Sequence, residues 1–339
     1  MTHRFPIKEI ALQSGISTAT VDRVLNGRAN VSPQARARVA AALDELAGQE
    51  AQIAARGRRV FVDVVVEAPR RFQAKIRQAA DRVLPRLSGA VLRPRYSFAE
   101  RMTGAEAAAH LDRIARRGSG GVCLKARDLP QVRAAVAGLA ARRIPVVTIF
   151  TDLGAPERIA YAGLDNRAAG RTAAHLVTLA TRGPGTVLTT MSDAAFAGEE
   201  ARFRGFADAL RERAPKLGIA DASGGGGLDM DTGSRVAAAL AQTGDIVAVY
   251  SMGGGNRAIL AELTRRTIRP RIVIAHDLDH DNRALLAQRR IDLVLEHDLA
   301  EDMTAAFGAI LHWHRLIPEP PPLRASDIRI VTPESLPAG

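Results

Sequence analysis

Nine side chains able to hydrogen-bond or stack lie on loops that follow predicted strands. Carboxylates accept hydrogen bonds from adjacent hydroxyls, a guanidinium donates in a fork, and an aromatic ring covers an apolar face. The carboxyl ends of parallel strands meet at one edge, where open α/β sheets usually bind ligands, so this set predicts a small-molecule cleft. The nine are Phe72, Lys125, Thr151, Asp152, Asn166, Arg202, Asn256, Asp277 and His297.

Several of these side chains also have a structural interpretation that the sequence leaves open. Arg202 and Asp277 could instead form structural ion pairs, and Phe72 could belong to the core. Asp152, Asn256 and His297 stay open between ligand contact and a structural role. The polar set favours a sugar or polyol, although Arg and Lys side chains would also accept a sugar acid or phosphate.

The elements that would position these residues alternate in type from residue 60 onward. The continuous β-branched run Val60–Val66 is typical of a buried parallel strand, and a helical pattern follows it. Such alternation predicts an α/β fold with parallel sheets. Further strands are predicted at 91–92, 121–124, 146–149, 186–190, 246–250, 271–275 and 293–295, with a late strand at 328–331. Helices are predicted at 105–115, 130–141, 167–179, 199–213, 256–266, 281–289 and 299–315.

The first 46 residues have a different pattern, which predicts three short helices. Pro6 suits a first helical turn, and Gly15 suits the left-handed residue that ends a helix. Ser17 can cap a second helix that ends at Asn26-Gly27, and Ser32-Pro33 can begin a third. Two helices joined by a tight Gly turn and closed by a third are a helix-turn-helix.

The outer face of the second helix carries residues that can read DNA. Thr18 and Ala19 can meet a thymine methyl in the major groove, and Arg23 can bond guanine bidentately. The net charge of +11 agrees with an acidic polymer as partner, but it is spread along the chain and adds little by itself.

The N-terminal motif resembles the DNA-binding headpiece of the lactose-repressor (LacI/GalR) family. The matching residues are Ile7-Lys8-Glu9-Ile10-Ala11, Gly15-Ile16-Ser17, Thr20-Val21, Arg23-Val24-Leu25-Asn26-Gly27 and Val31-Ser32. Two departures are Pro6, where the family usually has a Thr cap, and Asp22, which would repel phosphate unless it is paired. The DNA-binding residues that we predict are Ser17, Thr18, Ala19, Thr20, Arg23, Asn26, Arg28 and Arg56.

Residues 60–337 resemble the periplasmic sugar-binding-protein fold, which is the regulatory half of that family. The resemblance is carried by Tyr161–Asn166 with Ala169-Gly170-Arg171, Arg202–Phe206, Gly253–Arg257 and Ala275-His276-Asp277. It implies that Arg202 and Asp277 hold sugar hydroxyls. The expected fold class is an all-α helix-turn-helix headpiece plus an α/β, two-lobed, type I periplasmic-binding-protein-like domain.

The expected domains are a headpiece at 1–46, a linker or hinge at 47–59, and an effector and dimerisation domain at 60–339. Lobe 1 would take about 60–162 and 298–322, and lobe 2 about 163–297 and 323–339. In the resembled family a hinge leucine wedges into the minor groove and kinks DNA. Gly57 lies about where that leucine would be, so the sequence does not predict the kink; Arg56 could contact phosphate or lie at a solvated junction.

Other motifs give little support for catalysis, metals or membranes. An EF-hand beginning at Asp277 would need Gly at its sixth place and Glu at its twelfth, where Asn282 and Gln288 stand. Gly224–Gly227 lacks the P-loop Lys and is interpreted as a flexible turn. His312-Trp313-His314 is interpreted as a helix end or dimer surface. The single cysteine, Cys123, is expected to be a buried thiol.

These observations predict a cytoplasmic, dimeric, ligand-responsive regulator that is not an enzyme and needs no cofactor or metal. Its expected partners are double-stranded operator DNA, a sugar, polyol or sugar derivative, and a second copy of the chain. No apolar segment approaches ~18 residues and no signal pattern precedes the first helix, so no membrane partner is expected. The alternative is a carbohydrate-binding receptor module without a DNA role.

Overall fold

The computed structural model describes residues 3–28, 31–55, 58–320, 322 and 324–336, with the backbone alone at 47–55. Two compact units make up this part of the chain: Met1–Val60 with Arg86–Leu92, and Phe61–Pro85 with Arg93–Gly339. The helices of the first unit are α1 (Ile7–Ser14), α2 (Thr18–Leu25) and α3 (Pro33–Ala55).

The three helices of the first unit close a small apolar core. Ile10, Val21 and Val39 are fully or almost fully buried in it. Gly15 ends α1 in the left-handed conformation, with φ of 64°, as the sequence predicted. The α3 backbone continues to Ala55, so most of the segment interpreted as a linker is helical. Its Ala- and Gln-rich composition favours helix, which outweighs the lack of an apolar stripe.

The larger unit alternates strands and helices, as predicted. Its strands are β1 (Arg59–Glu67), β2 (Val91–Ala99), β3 (Gly121–Lys125), β4 (Val146–Ile149), β5 (Ala160–Ala162), β6 (Gly185–Thr190), β7 (Leu217–Asp221), β8 (Ile246–Ser251), β9 (Ile272–His276), β10 (Leu293–Glu296) and β11 (Arg329–Val331). Its helices are α4 (Arg70–Val83), α5 (Gly104–Arg117), α6 (Pro130–Ala141), α7 (Asn166–Ala180), α8 (Ala197–Arg213), α9 (Asp229–Gln242), α10 (Asn256–Arg265), α11 (His280–Ala287) and α12 (Leu299–Trp313).

The strands form two sheets, and each belongs to one lobe. The first has the order β2-β1-β3-β4-β5 and the second β11-β10-β9-β8-β6-β7. The pairs among β1, β3, β4 and β5 are parallel, and in the second sheet the pair β10–β11 is antiparallel. The chain passes from the first sheet to the second after β5, returns with α12, which packs on α4 and the first sheet, and passes again to reach β11.

Four elements differ from the sequence expectation, and one of them is the three-residue strand β5, which was not predicted. β2 extends to Ala99 although only Val91-Leu92 was predicted as strand, because this edge strand tolerates Pro94 and charged side chains. β7 and α9 were not predicted, since β7 is a half-exposed edge strand without a strong apolar pattern. The Gly224–Gly227 turn connects these two elements, and Gly224, Gly226 and Gly227 have positive φ.

Candidate functional site

The second helix of the headpiece exposes most of the residues predicted to contact DNA. The Ser17 hydroxyl caps α2 by accepting a hydrogen bond from the backbone N–H of Thr20, at 3.3 Å. Burial of Val21 turns the opposite face of α2 outward, and Thr18, Ala19 and Arg23 are exposed on that face. Asn26 and Arg28 are exposed at its C-terminal side, and Arg56 lies outside the described residues.

Asp22, which would repel phosphate if unpaired, has two partners on the same short segment. The Asn26 amide donates to Asp22 Oδ1 at 2.8 Å, and the Arg28 guanidinium lies 3.5 Å from Asp22 Oδ2. These contacts reduce the repulsion that a free carboxylate would exert on DNA.

A cavity of about 260 Å³ lies in the larger unit, between the carboxyl ends of the two sheets. Five of the nine predicted side chains line it: Phe72, Lys125, Thr151, Arg202 and Asp277. Several other residues that line the cavity were not predicted as ligand contacts, namely Glu67, Arg71, Arg101, Arg127, Phe150, Phe196, Glu199, His276 and Asp279.

The other four predicted side chains contact protein groups beside the cavity. Asn166 accepts from Arg202 Nε at 2.6 Å, and the Asn256 amide donates to Asn282 at 2.6 Å. Asp152 pairs with Arg158; burial tends to raise its pKa, but hydrogen bonds from Arg158 and Thr148 lower it overall. His297 Nε2 lies 3.8 Å from Asp277 Oδ1.

Arg202 is held rigidly although it forms no ion pair with a carboxylate among the described residues. Its Nε donates to Asn166, and its Nη1 donates to the Met252 carbonyl at 3.1 Å. Helices α7 and α8 bring these groups together because glycines let their backbones touch. A Cβ at Gly170 would lie 1.9 Å from the Arg202 carbonyl oxygen, and one at Gly205 would lie 2.2 Å from the Arg167 carbonyl oxygen.

Asp277 has the unusual backbone and the unfilled hydrogen-bonding capacity expected of a binding residue. Its φ is +63°, a left-handed conformation that a non-glycine residue adopts only when its surroundings impose it. Its Oδ1 is buried without a hydrogen-bond partner, and the nearest cationic candidate, His297 Nε2, is 3.8 Å away. On the other side of that ring, His297 Nδ1 lies 2.6 Å from Asp302 Oδ2.

Lys125 and Glu199 bring one charge from each lobe into the cavity. Lys125 Nζ donates to the Glu67 carbonyl at 2.9 Å and lies 4.1 Å from the Phe196 ring centroid, and burial lowers its pKa. Glu199 accepts from the Ser192 backbone N–H at 2.6 Å and from the Ser192 hydroxyl at 2.5 Å. Burial raises the pKa of Glu199.

Aromatic rings supply the apolar part of the cavity wall. Phe72 and Phe150 meet edge to face with their centroids 5.6 Å apart, and Phe196 lies under Lys125. Together with the charged groups, these rings form a wall that suits a ligand with both hydroxyl groups and an apolar face.

Three arginines of the first lobe cross the mouth of the cavity and bind the second lobe. Arg71 pairs with Asp279 at 2.8 Å and donates to the Gly227 carbonyl at 2.8 Å. Arg127 pairs with Asp193 at 3.2 Å, and Arg101 pairs with Asp231. The cleft is therefore closed around the cavity.

Several of the cavity residues that were not predicted lie, like the predicted ones, after the carboxyl ends of strands. Glu67 ends β1 and Arg127 follows β3. After β6, Phe196 is the N-cap of α8 and Glu199 lies in its first turn. Each lies between the carboxyl end of a strand and the first turn of the helix that follows it, which is the region from which the nine candidate side chains were taken.

The remaining motifs have structural roles. Asp279 caps α11 by accepting from the Asn282 N–H, and His276 donates to or accepts from Tyr250 at 2.7 Å. His314 ends α12 and contacts the Gly120 carbonyl at 2.5 Å. Cys123 is buried. Among the described residues no His, Cys, Asp and Glu cluster could hold a metal ion, and no helix is long and apolar enough to cross a membrane.

Comparison with known proteins gives two family matches. Residues 6–47 match the model for bacterial regulatory proteins of the lacI family, and residues 64–298, more than half of the chain, match that for a periplasmic binding protein domain. No curated protein matches the sequence.

Solved structures with the same fold are distant in sequence. GanP, a glucose-galactose binding protein from Geobacillus stearothermophilus, has a TM-score of 0.72 at 19% identity, over 83% of this chain and 99% of that one. A putative LacI transcriptional regulator from Bacteroides fragilis has a TM-score of 0.69 at 12% identity, over 82% and 98%. A solute binding protein from Agrobacterium vitis with bound D-fucose has 0.70 at 16%, over 81% and 98%.

The fold and the matches define a class of protein: a ligand-responsive DNA-binding regulator with a helix-turn-helix and a two-lobed domain of the sugar-binding-protein type. The chain belongs to the LacI family of bacterial regulatory proteins, with a periplasmic binding protein domain as its regulatory half.

Proposed function

We propose that this regulator is a cytoplasmic repressor of a carbohydrate or polyol catabolic operon and binds a pseudo-palindromic operator as a homodimer. The observation that carries the proposal is the closed cavity, with Asp277, Arg202 and aromatic rings on its wall, in the same chain as the α2 face. The names of the distant structures, which mention glucose, galactose and D-fucose, support a sugar-like effector. The proposal gives the protein no catalytic role.

The effector acts on operator binding through the cleft. Ligand that binds the closed cleft more tightly than the open one shifts the population toward one dimer arrangement and changes the spacing of the two headpieces. Of the nine predicted side chains, we assign direct ligand contact to Phe72, Lys125, Thr151, Arg202 and Asp277, which line the cavity. We assign Asn166, Asn256, Asp152 and His297 to the support of that wall.

DNA binding is tested by selecting duplexes from a randomised pool with the full chain and measuring affinity by fluorescence anisotropy. Deletion of residues 1–57 should abolish specific binding. Arg23→Ala should weaken it by about 1–3 kcal/mol and relax preference at one base position, as loss of a bidentate guanine contact would. Equal binding by the full chain and the deletion would favour the receptor module without a DNA role.

The effector is tested by a thermal-shift panel of pentoses, hexoses, polyols, sugar acids and sugar phosphates. A ligand at about a hundred times its Kd should add roughly 2.7 kcal/mol of stability. The shift should disappear in Asp277→Ala and Arg202→Ala, and should persist in Arg204→Ala, whose side chain pairs with Glu200 on the outer face of α8. A shift that survives both cavity substitutions would place the effector elsewhere.

A further inference from the structure

The positive charge of the effector unit is concentrated in its first lobe. Residues 60–162 and 298–322 contain 19 Lys and Arg against 13 Asp and Glu, which is a net charge of +6 with His neutral. Residues 163–297 and 323–339 contain 19 against 18, which is a net charge of +1. Because an excess of one sign attracts partners of the other, the first lobe favours a polyanion and the second does not.

Five exposed arginines of the first lobe lie at one edge of its sheet, where the C-terminal ends of three helices meet the amino ends of the strands. The Arg142 guanidinium, after α6, donates to the Ala115 carbonyl of α5 at 3.4 Å. His314, after α12, contacts the carbonyl of Gly120, which directly precedes β3, at 2.5 Å. We call this surface the basic edge, and its exposed arginines are Arg113, Arg116, Arg142, Arg143 and Arg315.

Three arginines of the basic edge have no carboxylate or other side-chain partner among the described residues, namely Arg116, Arg143 and Arg315. The buried carboxylate of Asp63 in β1 is paired with Arg117 instead, at 2.6 Å. A guanidinium binds phosphate well because its planar fork can donate two parallel hydrogen bonds. Within the described part of the chain, these three groups therefore remain available to a phosphate ligand.

Arg143 and Arg315 also occupy backbone positions that favour glycine. Their φ values are +58° and +57°, and each is the left-handed residue that follows a helix C-cap. In the second lobe, Arg289 has the same position after α11, but it pairs with Glu334 at 2.8 Å. No comparable pairing among the described residues offsets the backbone cost at Arg143 and Arg315, which indicates a partner outside the chain.

The path of the chain indicates which polyanion reaches the basic edge. β1 enters the sheet there, since the Phe61 carbonyl accepts a hydrogen bond from the Gly120 N–H at 2.7 Å. Leu46 is the last residue of the headpiece core, and the 14 residues between it and Phe61 span at most about 50 Å. Duplex DNA held by the headpiece is therefore tethered to this lobe at a high effective concentration.

We propose that the basic edge is a second DNA-contacting surface, where Arg116, Arg143 and Arg315 bind phosphates of the duplex that flanks the site held by the headpiece. Contacts to the phosphate backbone add affinity and salt dependence without sequence preference. The inference goes beyond the proposed function, which assigns DNA binding to the headpiece alone.

The test uses the full chain and a fluorescein-labelled, mixed-sequence duplex of about 45 base pairs, with fluorescence anisotropy over a series of KCl concentrations. The triple variant Arg116→Gln/Arg143→Gln/Arg315→Gln should bind roughly tenfold or more weakly at about 0.1 M salt. Its plot of log K against log salt should be less steep by about 2.7 for each protomer, since each phosphate contact contributes about 0.9. An unchanged affinity and slope would overturn the inference.

A matched control separates the basic edge from net charge and from arginines that merely complement helix dipoles. Arg213→Gln/Arg266→Gln/Arg290→Gln removes the same charge from exposed arginines at the C-terminal ends of α8, α10 and α11 in the second lobe. Its affinity should stay within about twofold of the wild type. Equal losses in the two triple variants would reduce the effect to net charge and refute the inference.

Glycine substitutions separate DNA binding from folding. Arg143→Gly and Arg315→Gly relieve the left-handed backbone, so Tm should not fall, while affinity for the duplex should still decrease. A lower Tm with unchanged affinity would assign these arginines to the fold and refute the inference.

Two further measurements decide the partner and isolate the headpiece. If the Gln triple variant lost binding to single-stranded RNA or to phosphatidylserine vesicles but not to duplex DNA, the DNA assignment would be wrong. If Arg23→Ala weakened specific DNA binding while the Gln triple variant changed nothing, the headpiece function would stand and this inference alone would fail.

Discussion

At the scale of single residues, the cavity depends on side chains whose strain or burial is imposed by neighbours. Asp277 adopts φ of +63°, and its buried Oδ1 has no hydrogen-bond partner. His297 Nε2 lies 3.8 Å from that oxygen, and His297 Nδ1 contacts Asp302. His297 and Asp302 are 2% and 3% exposed, so neither can replace a lost partner with water. The sequence singled out Asp277 and His297 by residue type and position, but not Asp302, because Asp302 lies in the first turn of helix α12 rather than on a loop.

We expect Asp302→Asn to lower the free energy of unfolding by about 1–3 kcal/mol, since it weakens the buried contact between the Asp302 carboxyl group and His297 Nδ1. Urea denaturation followed by circular dichroism measures the change. Glu301→Gln, on the exposed side of the same turn, should have an effect near zero. Equal effects of the two substitutions would mean that the His297–Asp302 contact contributes little.

Glu199 should make stability depend on pH in a definite direction. Burial raises the pKa of Glu199, so the folded protein is more stable when this carboxyl group is protonated. That stabilisation is complete below the unfolded-state pKa of about 4.3 and is lost as pH rises through the folded-state pKa. Relative to Glu199→Gln, the ligand-free wild type should therefore lose stability as pH rises from about 4.5. Denaturation of both proteins over a pH series measures this difference. A difference that stays constant with pH would contradict the burial of an ionisable carboxyl group.

At the scale of elements, the close contact of α7 and α8 holds Arg202 in place. Gly170 and Gly205 permit that contact, and only the structure shows it, because the sequence does not indicate which helices touch. The sequence predicted the alternation of strands and helices from strong periodicity, but it missed the three-residue strand β5 and also β7 and α9, whose patterns are weak. Two cavity residues near the start of α8 were not assigned to the site: Phe196, which is the N-cap and precedes the predicted helix, and Glu199, which is the first residue of the predicted helix.

Gly170→Ala should lower the free energy of unfolding by about 1–3 kcal/mol and weaken ligand binding, because the new methyl group would overlap the Arg202 carbonyl oxygen. Gly138→Ala is a matched control in helix α6, where a Cβ would meet nothing within 4 Å. That control should instead raise stability by about 1 kcal/mol, the usual helical preference for Ala over Gly. Thermal denaturation and ligand titration of both variants measure these effects. Equal tolerance of both substitutions would mean that α7 and α8 can separate at little cost.

At the scale of the whole effector unit, the arginines across the mouth stabilise the closed cleft. Arg71 fits against Gly254, where a Cβ would lie 2.0 Å from its Nη2, and it reaches the Gly227 carbonyl and Asp279. A further hydrogen bond between the lobes joins the Asp128 N–H to the Ala195 carbonyl at 2.7 Å. None of these contacts could be predicted from sequence, since each joins loops of different lobes.

Arg71→Ala should shift the ligand-free protein toward an open cleft. Hydrogen exchange measured by mass spectrometry should then show faster exchange in peptides that contain Asp128, since its N–H is protected by the other lobe. Arg70→Ala is the matched control, because Arg70 is exposed and lies near Glu100 of its own lobe. Unchanged exchange at Asp128 in Arg71→Ala would show that the cleft stays closed without this contact.

The path of the chain between the lobes has a consequence for synthesis on the ribosome. The first lobe needs α12, which packs on α4 and its sheet, and the second needs β11, which pairs with β10. At roughly 5–20 residues per second, the nascent chain therefore carries its α2 face long before either lobe can be completed. A chain whose translation stops early would display a DNA-reading headpiece that no effector can control, so complete translation is a condition for regulated rather than constitutive binding.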